Sequence, residues 1–355
     1  MAEGWRVLVH GGVALTTDPG PAAAFLRAST PGAYTTTRTL DGASSLLLWE
    51  RHMARLSESL SLLHQASPHL YPHLREGIDV KKLVLPSIAE SLAKSIELRR
   101  AEEEINLTVL LCGSEKEQAQ DSSGCEVYVH ASNYRAVNRD EILPGARVAV
   151  MGPGRELARA KYSLWASTRQ VLENVKPSNI NEIILSNDGD SLLEGTLTNF
   201  FVVKVRDSKT WNEENHQKAA ESDDHSRFQL TDYEVLTAPL SAGVLPGVMR
   251  NLVIEVCIEA GILVRESSPS WSSHLTWREA FLTNGLRILQ PVTSIQMPAS
   301  GFKPWTQGLD PKLFTETEWQ SFNLEVCGRV TRHIHKLVMD RVCQLSIPLK
   351  TFTYK

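Results

Sequence analysis

Apolar positions recur at helical spacing between Glu50 and His64, where Met53, Leu56, Leu60 and Leu63 mark one face and predict an amphipathic helix. The preceding AYTTTRTL, residues 33–40, is β-branched and aromatic and predicts a strand. Asp41-Gly42 marks a hairpin, with SSLLLW as its partner strand. WRVLVHGGVAL (5–15) alternates weakly around a Gly-Gly turn and predicts another strand, whereas DPGPAAAFLRASTPG reads as a Pro- and Gly-rich loop. Residues 81–100 predict a second amphipathic helix. INLTVLLC (105–112) and CEVYVHAS (125–132) predict strands. The result is an α+β unit ending near residue 145.

The next stretch, ILPGARVAVMGPGREL, is rich in Gly and Pro and reads as a link between domains. YSLWASTRQVLENVKP then puts Leu164, Thr168, Val171, Leu172 and Val175 on one helical face, stopped by Pro177. NEIILSNDGDSLLEG predicts a hairpin around Asn187-Asp188-Gly189, and NFFVVKV another strand. Residues 206–228 are charged, amide-rich and nearly without apolar side chains, as in an exposed insertion. LPGVMRNLVIEVCIEAG predicts a helix opened by Pro246-Gly247 and closed by Gly261. EAFLTNGLRILQPV predicts a strand, a polar turn and a strand. A last amphipathic helix is expected at about 316–341. No internal repeat is present. Two domains are expected, 1–145 and 146–355.

Composition narrows the classes. The 355 residues include 37 Lys+Arg against 41 Asp+Glu, a net charge of −4, which argues against a nucleic-acid binder. At 42% hydrophobic the chain is too apolar for disorder. No apolar run of about 18 residues predicts a membrane span. The five cysteines are odd in number and none is spaced as CxxC, so neither zinc nor a disulfide framework is expected, and a reducing compartment fits. MAEGWRVLVHGG lacks the basic and apolar segments of a secretory signal, so a soluble protein is expected, cytoplasmic ahead of organellar.

Candidate chemistry begins at Lys161, between the Gly/Pro-rich stretch and a helix. An imine-forming lysine needs an amine partly deprotonated by a shielded site. Glu194, in the turn LLEGTLTN, supplies a carboxylate of the kind that keeps a pyridine nitrogen protonated. In LPGVMR the N–H groups of Gly247, Val248 and Met249 fall at a helix start and suit an anion. Thr283-Asn284-Gly285 offers further donors, and Arg55 a bidentate one. Tyr34, Thr36 and Arg38 share one face of their strand and suit a carboxylate. Taken singly, each also fits a surface residue, a plain helix start or an ordinary turn. Gly152-Pro-Gly154 lacks the third glycine of a dinucleotide loop, and His333 and His335 read as solvated rather than metal-binding.

In this order and spacing the segments resemble the fold-type IV class of pyridoxal-phosphate enzymes, which includes branched-chain and D-amino-acid aminotransferases and aminodeoxychorismate lyase. The resemblance runs from about residue 30 to about 296. It is closest in AYTTTRTLDG with ERHMARL, in Lys161 followed by LLEGTLTNFF, and in TAPLSAGVLPGVMR with FLTNGLRILQPV. It implies an α+β, two-domain fold, with a small α/β sandwich domain and a larger pseudo-barrel domain. It implies pyridoxal 5'-phosphate as cofactor, no metal, an amino acid and a keto acid as substrates, and a homodimer. Lys161 resembles the Schiff-base lysine that moves the proton between Cα and C4′. Glu194 resembles the carboxylate facing the pyridine nitrogen. Arg55, Val248, Met249, Asn284 and Gly285 match phosphate-side positions. Tyr34, Thr36, Arg38 and Leu286 match positions lining the substrate pocket.

The chain also departs from the pattern. LTVLLCGSEKEQ carries no arginine where the family often has one, Ala166 stands where branched-chain enzymes place a tyrosine, and the usual Asp-Arg-Gly stretch is missing. The resemblance implies an aminotransferase. The lyase is the alternative, because TTTRTLDG resembles its strand more closely. A cofactor-binding protein with little catalysis is the third reading.

Overall fold

The computed structural model describes residues 4–75, 77–114, 123–136, 141–206, 229–299, 318–325 and 327–352. The expected insertion at 206–228 lies, but for Arg206, outside the described residues. Two sheets organise the rest. The first contains β1 (Arg6–His10), β2 (Val13–Ala14), β3 (Gly32–Leu40), β4 (Ser45–Leu46), β5 (Glu104–Gly113) and β6 (Cys125–Tyr134). The second contains β7 (Ala146–Val150), β8 (Glu182–Ser186), β9 (Leu192–Gly195), β10 (Asn199–Val205), β11 (Tyr233–Thr237), β12 (Leu263–Glu266), β13 (Trp277–Asn284), β14 (Ile288–Pro298) and β15 (Trp319–Asn323). A final strand, β16 (Ile347–Pro348), returns to the first sheet beside β4, giving the order β16-β4-β3-β5-β6-β1-β2.

Helix α1 (Ala22–Ala28) lies on one face of the first sheet through Phe25 and Leu26, and helices α2 (Trp49–Ala66) and α3 (Val80–Leu98) cover the other. The 53/56/60/63 stripe of α2 is buried with Trp49 against Ile105, Leu107, Val109 and Val129 of the sheet. The opposite sheet face carries Tyr34 and Leu110.

The second sheet runs β12-β11-β10-β13-β14-β7-β8-β9, and β9 pairs again with β10, so the strands from β10 round to β9 close a barrel. The closing pair is Asn199 with Glu194. In β10 the side chains alternate between two cores. Phe200 and Val202 fill the barrel with Val148, Ile184, Leu282 and Val292. Phe201 and Val203 pack outward with α6 (Val248–Glu259) and α7 (Arg329–Leu345). A strand buried on both faces explains the apolar run FFVV, residues 200–203. Between β7 and β8 lie the short helices α4 (Trp165–Thr168) and α5 (Gln170–Val175).

Several expectations are corrected. The Pro/Gly-rich loop at 18–32 contains α1, because AAAFLRA is a strong helix former once Pro21 opens it and Phe25 and Leu26 are buried. The supposed link contains β7, a strand parallel to both β8 and β14. Of SSLLLW only Ser45–Leu46 is strand, since Trp49 already starts α2. The single helix after Lys161 is two, and its buried face is not the one expected: Leu164 and Val171 are exposed while Arg169 is buried. The last helix begins at Arg329, after β15.

Phe201 and Phe281 stack at 4.8 Å in the outer core, both fully buried. Phe281→Ala removes one ring from a packed pair and is expected to cost about 3–5 kcal/mol. Urea unfolding should show a clearly lower midpoint, and an unchanged midpoint would contradict this packing.

Candidate active site

The site forms where the second sheet's connections meet the edge of β3. Residues 161–163 run along that edge: Tyr34 N–H donates to Lys161 O at 2.9 Å, Ser163 N–H donates to Gly32 O at 2.9 Å, and Ala33 pairs with Tyr162. Ser163 Oγ in turn accepts from Gly32 N–H at 2.9 Å. This pairing sets the Lys161 amine 4.6 Å from the centre of the Tyr34 ring. Burial draws the amine down to about 8, with Tyr34 opposing and Arg55, Arg155 and Arg169 adding to the shift. For the Tyr34 phenol, burial acts upward, but Lys161, Arg169 and Arg155 outweigh it and bring the group to about 8. Tyr34, expected only as a substrate-side residue, thus lies against the lysine amine.

One face of α2 supplies the next wall. His52, Arg55 and Ser59 stand beside the apolar stripe and are all buried. Ser59 Oγ accepts from Lys161 N–H at 3.0 Å. Arg55 donates to Thr35 Oγ1 at 2.7 Å, and the same hydroxyl lies 2.9 Å from His52 Nδ1. Burial lowers the Arg55 guanidinium to about 10. It also holds the His52 imidazole well below its usual value, with Arg55 and Lys161 adding to the effect. Arg55 Nε and His52 Nε2 are buried with no hydrogen-bond partner among the described residues. Such groups cost about 1–3 kcal/mol each, so this corner favours a ligand that pairs them.

The Asn284–Leu286 turn lies against β3. A Cβ at Gly285 would stand 2.8 Å from Thr36 O and 3.2 Å from His52 Cε1, so only glycine allows the approach. Asn284 Oδ1 accepts from the N–H groups of Leu286 at 3.0 Å and Arg287 at 2.7 Å, so this side chain shapes the turn. Leu286 O receives Arg38 Nε at 2.9 Å and the Tyr134 hydroxyl at 3.0 Å. Arg38 also donates to Thr39 O at 3.0 Å and faces the Tyr134 ring. Arg38 thus braces β3 to the turn. Beside this brace a cavity of about 300 Å³ is lined by Arg38, Glu104, Arg287 and His335, among others, while Lys161 and Tyr34 do not line it. His335, expected to be solvated, is buried, and burial lowers its pKa.

Glu194 ties the remaining parts together. Its Oε1 accepts from Arg155 at 2.8 Å (Nε) and 2.7 Å (Nη2). Its Oε2 accepts from Asn199 Nδ2 at 3.1 Å and from Leu245 N–H at 3.0 Å. The side chains of Arg155 and Glu194 are only 7% and 3% exposed. Burial raises the carboxyl's pKa, against the pull of Arg155, Leu245 and Lys161. Asn199 also donates to Leu245 O at 3.0 Å, and a Cβ at Gly247 would meet Asn199 Oδ1 at 2.0 Å. The carboxylate thereby fixes the turn that launches α6. No side chain among the described residues caps that helix, which leaves the N–H groups of Val248 and Met249 aimed outward at its positive end.

Sequence reasoning missed Arg155, Arg169, His52, Ser59 and Asn199. The 52/55/59 spacing was a usable signal, because it follows the helical period beside the apolar stripe. The arginines had none, since their partners are far away in sequence or shared with a broken helix.

The family model of amino-transferase class IV matches residues 32–295 of the chain. A methionine aminotransferase of Arabidopsis thaliana is 33% identical over 89 residues, which is 24% of this chain and 25% of that relative's length. The chain thus matches about a quarter of that curated relative. Among solved structures, the branched-chain aminotransferase of Thermoproteus uzoniensis with norvaline superposes with a TM-score of 0.62 at 15% identity, covering 98% of this chain and 100% of that one. The branched-chain aminotransferase of Escherichia coli gives 0.57 at 16%, over 93% and 92%. A PLP-bound hypothetical aminotransferase from Mycobacterium tuberculosis gives 0.59 at 14%, over 96% and 99%. At these identities the likeness establishes the fold.

Two outcomes follow from the geometry. Arg155→Met strands a buried carboxylate and is expected to cost about 3–5 kcal/mol, with the double variant Arg155→Met/Glu194→Gln recovering part of it. Denaturant midpoints check this, and equal midpoints for wild type and single variant would refute the clamp. Competitive labelling of lysines with acetic anhydride across pH should give Lys161 a midpoint near 8. A midpoint above 10 would show that the amine is not shielded.

Proposed function

Because the chain belongs to the amino-transferase class IV family, we propose that it moves an amino group between an amino acid and a 2-keto acid, using pyridoxal 5'-phosphate. The observation that carries this reading is Lys161: a half-buried lysine whose amine is drawn down to about 8, set against a tyrosine and near three arginines. An amine of that pKa is part-deprotonated near neutral pH and can both attack a carbonyl and shuttle a proton.

The residues fit the cofactor that the family implies. Lys161, Arg55, Arg155 and Arg169 act on one another's surroundings, with Glu194 and the Tyr34 phenol opposing them. Such a site is short of negative charge and suits a phosphate ester. When bound, the cofactor supplies an aldehyde carbon for the amine and a ring that takes up an electron pair. Arg55, with its partnerless Nε, and the N–H groups of Val248 and Met249 would hold the phosphate. Asn284 and Gly285 would shape the turn beside it. Glu194, steadied by Arg155, would face the ring nitrogen. Lys161 would take the α-proton of the substrate and return it. Tyr34, Thr36, Arg38 and Leu286 would wall the substrate side.

The chain is read as two domains, 1–145 and 146–355, with β16 reaching back to the first sheet. A second copy of the chain is proposed to complete the cleft. Leu164 and Leu197 support this: the Trp165 Nε1–Thr196 O bond of 2.7 Å brings them to one rim, where they are 45% and 43% exposed.

One observation favours the lyase as a second reading. Ala166 is fully buried in the cluster around Tyr34, so no hydroxyl is offered from that position. Release of 4-aminobenzoate and pyruvate from aminodeoxychorismate would support the lyase, and amino transfer to a keto acid would exclude it as the sole activity.

The direct experiment is borohydride reduction of the cofactor-loaded protein followed by peptide mapping. The cofactor should be found on Lys161, and amino donors should convert its visible absorbance before reduction. Attachment elsewhere, or none, would overturn the proposal.

A further inference from the structure

Arg169 sits at the break between α4 and α5, eight positions after Lys161. Its side chain is 6% exposed. One donor is satisfied, Nε to Glu173 Oε1 at 2.8 Å. Another, Nη1, is buried with no hydrogen-bond partner among the described residues. Three positions earlier, Ala166 packs in the same small cluster as Tyr34. The Arg169 charge also acts on both Tyr34 and Lys161, in line with the place of Ala166 beside Tyr34. A long, entropically costly side chain is thus held in place by burial and by Glu173 while one of its donors is unmet.

The other cations near the lysine are committed. Arg155 is chelated to Glu194 Oε1. Arg38 spends Nε and Nη1 on the carbonyls of Leu286 and Thr39. Arg55 bonds Thr35 and lies with His52 at the corner assigned to phosphate. A substrate that brings its α-carbon to Lys161 also brings a carboxylate one bond away. That charge needs a donor on the lysine side of the pocket.

We propose that Arg169 is the specificity residue that receives the substrate carboxylate through Nη1 and so selects amino acids over simple amines. The proposal rests on the reading of this pocket as one that handles amino acids. The contact is charge-assisted and shielded from water, which makes it strong. Its position on the helix that follows the lysine couples carboxylate binding to the placement of the amine.

The test compares cofactor-loaded wild type with Arg169→Met, Arg169→Lys and Arg169→Met/Glu173→Gln. The double variant avoids leaving Glu173 unpaired if the single one folds poorly. Each protein is titrated calorimetrically with 4-methylpentanoate, a carboxylate without an amine, and its affinity for pyridoxal phosphate is measured in parallel. Both methionine variants should bind 4-methylpentanoate about tenfold or more weakly than wild type, with lysine restoring part of the loss and cofactor affinity unchanged. Unchanged carboxylate affinity would overturn the proposal. So would a parallel fall in cofactor affinity, which would place Arg169 on the cofactor instead, or a failure of wild type to bind the carboxylate. Failure of the underlying reading looks different, because the cofactor would then not be trapped on Lys161.

Discussion

The buried carboxylate of Glu194 is the point on which the site's architecture turns. One side chain accepts four donors: two from Arg155, one from Asn199 and one from the Leu245 backbone. Each donor brings in a different part of the chain. Asn199 is the residue through which β9 and β10 close the barrel. Leu245 begins the turn that starts α6, and Arg155 lies on the path toward Lys161. A charge buried this deeply is tolerable only because hydrogen-bond donors and a cation are in contact with it. Barrel closure, the helix start and the lysine segment therefore stand or fall together.

Electrostatics explains why this centre differs from an ordinary core. Three arginines gather around Lys161 and Tyr34, and burial strengthens the repulsion among these cations. The fold holds them there through fixed hydrogen-bond partners: Thr35 for Arg55, Glu173 for Arg169 and Glu194 for Arg155. The same crowding keeps the Lys161 amine easier to deprotonate than a surface lysine. Reactivity and anion affinity thus have one physical origin.

Rigidity comes from backbone pairing more than from side chains. Lys161 is positioned by edge pairing with β3 and by Ser59, so its amine starts from a fixed strand-like segment. The Gly285 turn presses on the same strand at Thr36, and the Arg38–Leu286–Tyr134 brace fixes its far end. One strand thereby aligns the lysine, the 284–286 turn and the pocket wall.

Much of this was legible in the sequence. Period-two and helical patterns located most strands and helices, because α2, β3, β5, β6, β10 and α6 each bury a continuous stripe or face. Lys161, Glu194, the LPGVMR helix start and the TNG turn stood out because their chemistry depends on local residue types. The sequence could not place β7 or α1, whose Gly- and Pro-rich flanks mask them. It also misjudged the helix after Lys161, where Leu164 and Val171 of the apolar stripe are exposed and an arginine is buried. Tertiary structure alone decided what the arginines do. Arg155 finds Glu194 39 residues away, and Arg38 meets a carbonyl 248 residues away. Such pairings are set by how two sheets meet, and chain periodicity carries no record of contacts at that distance.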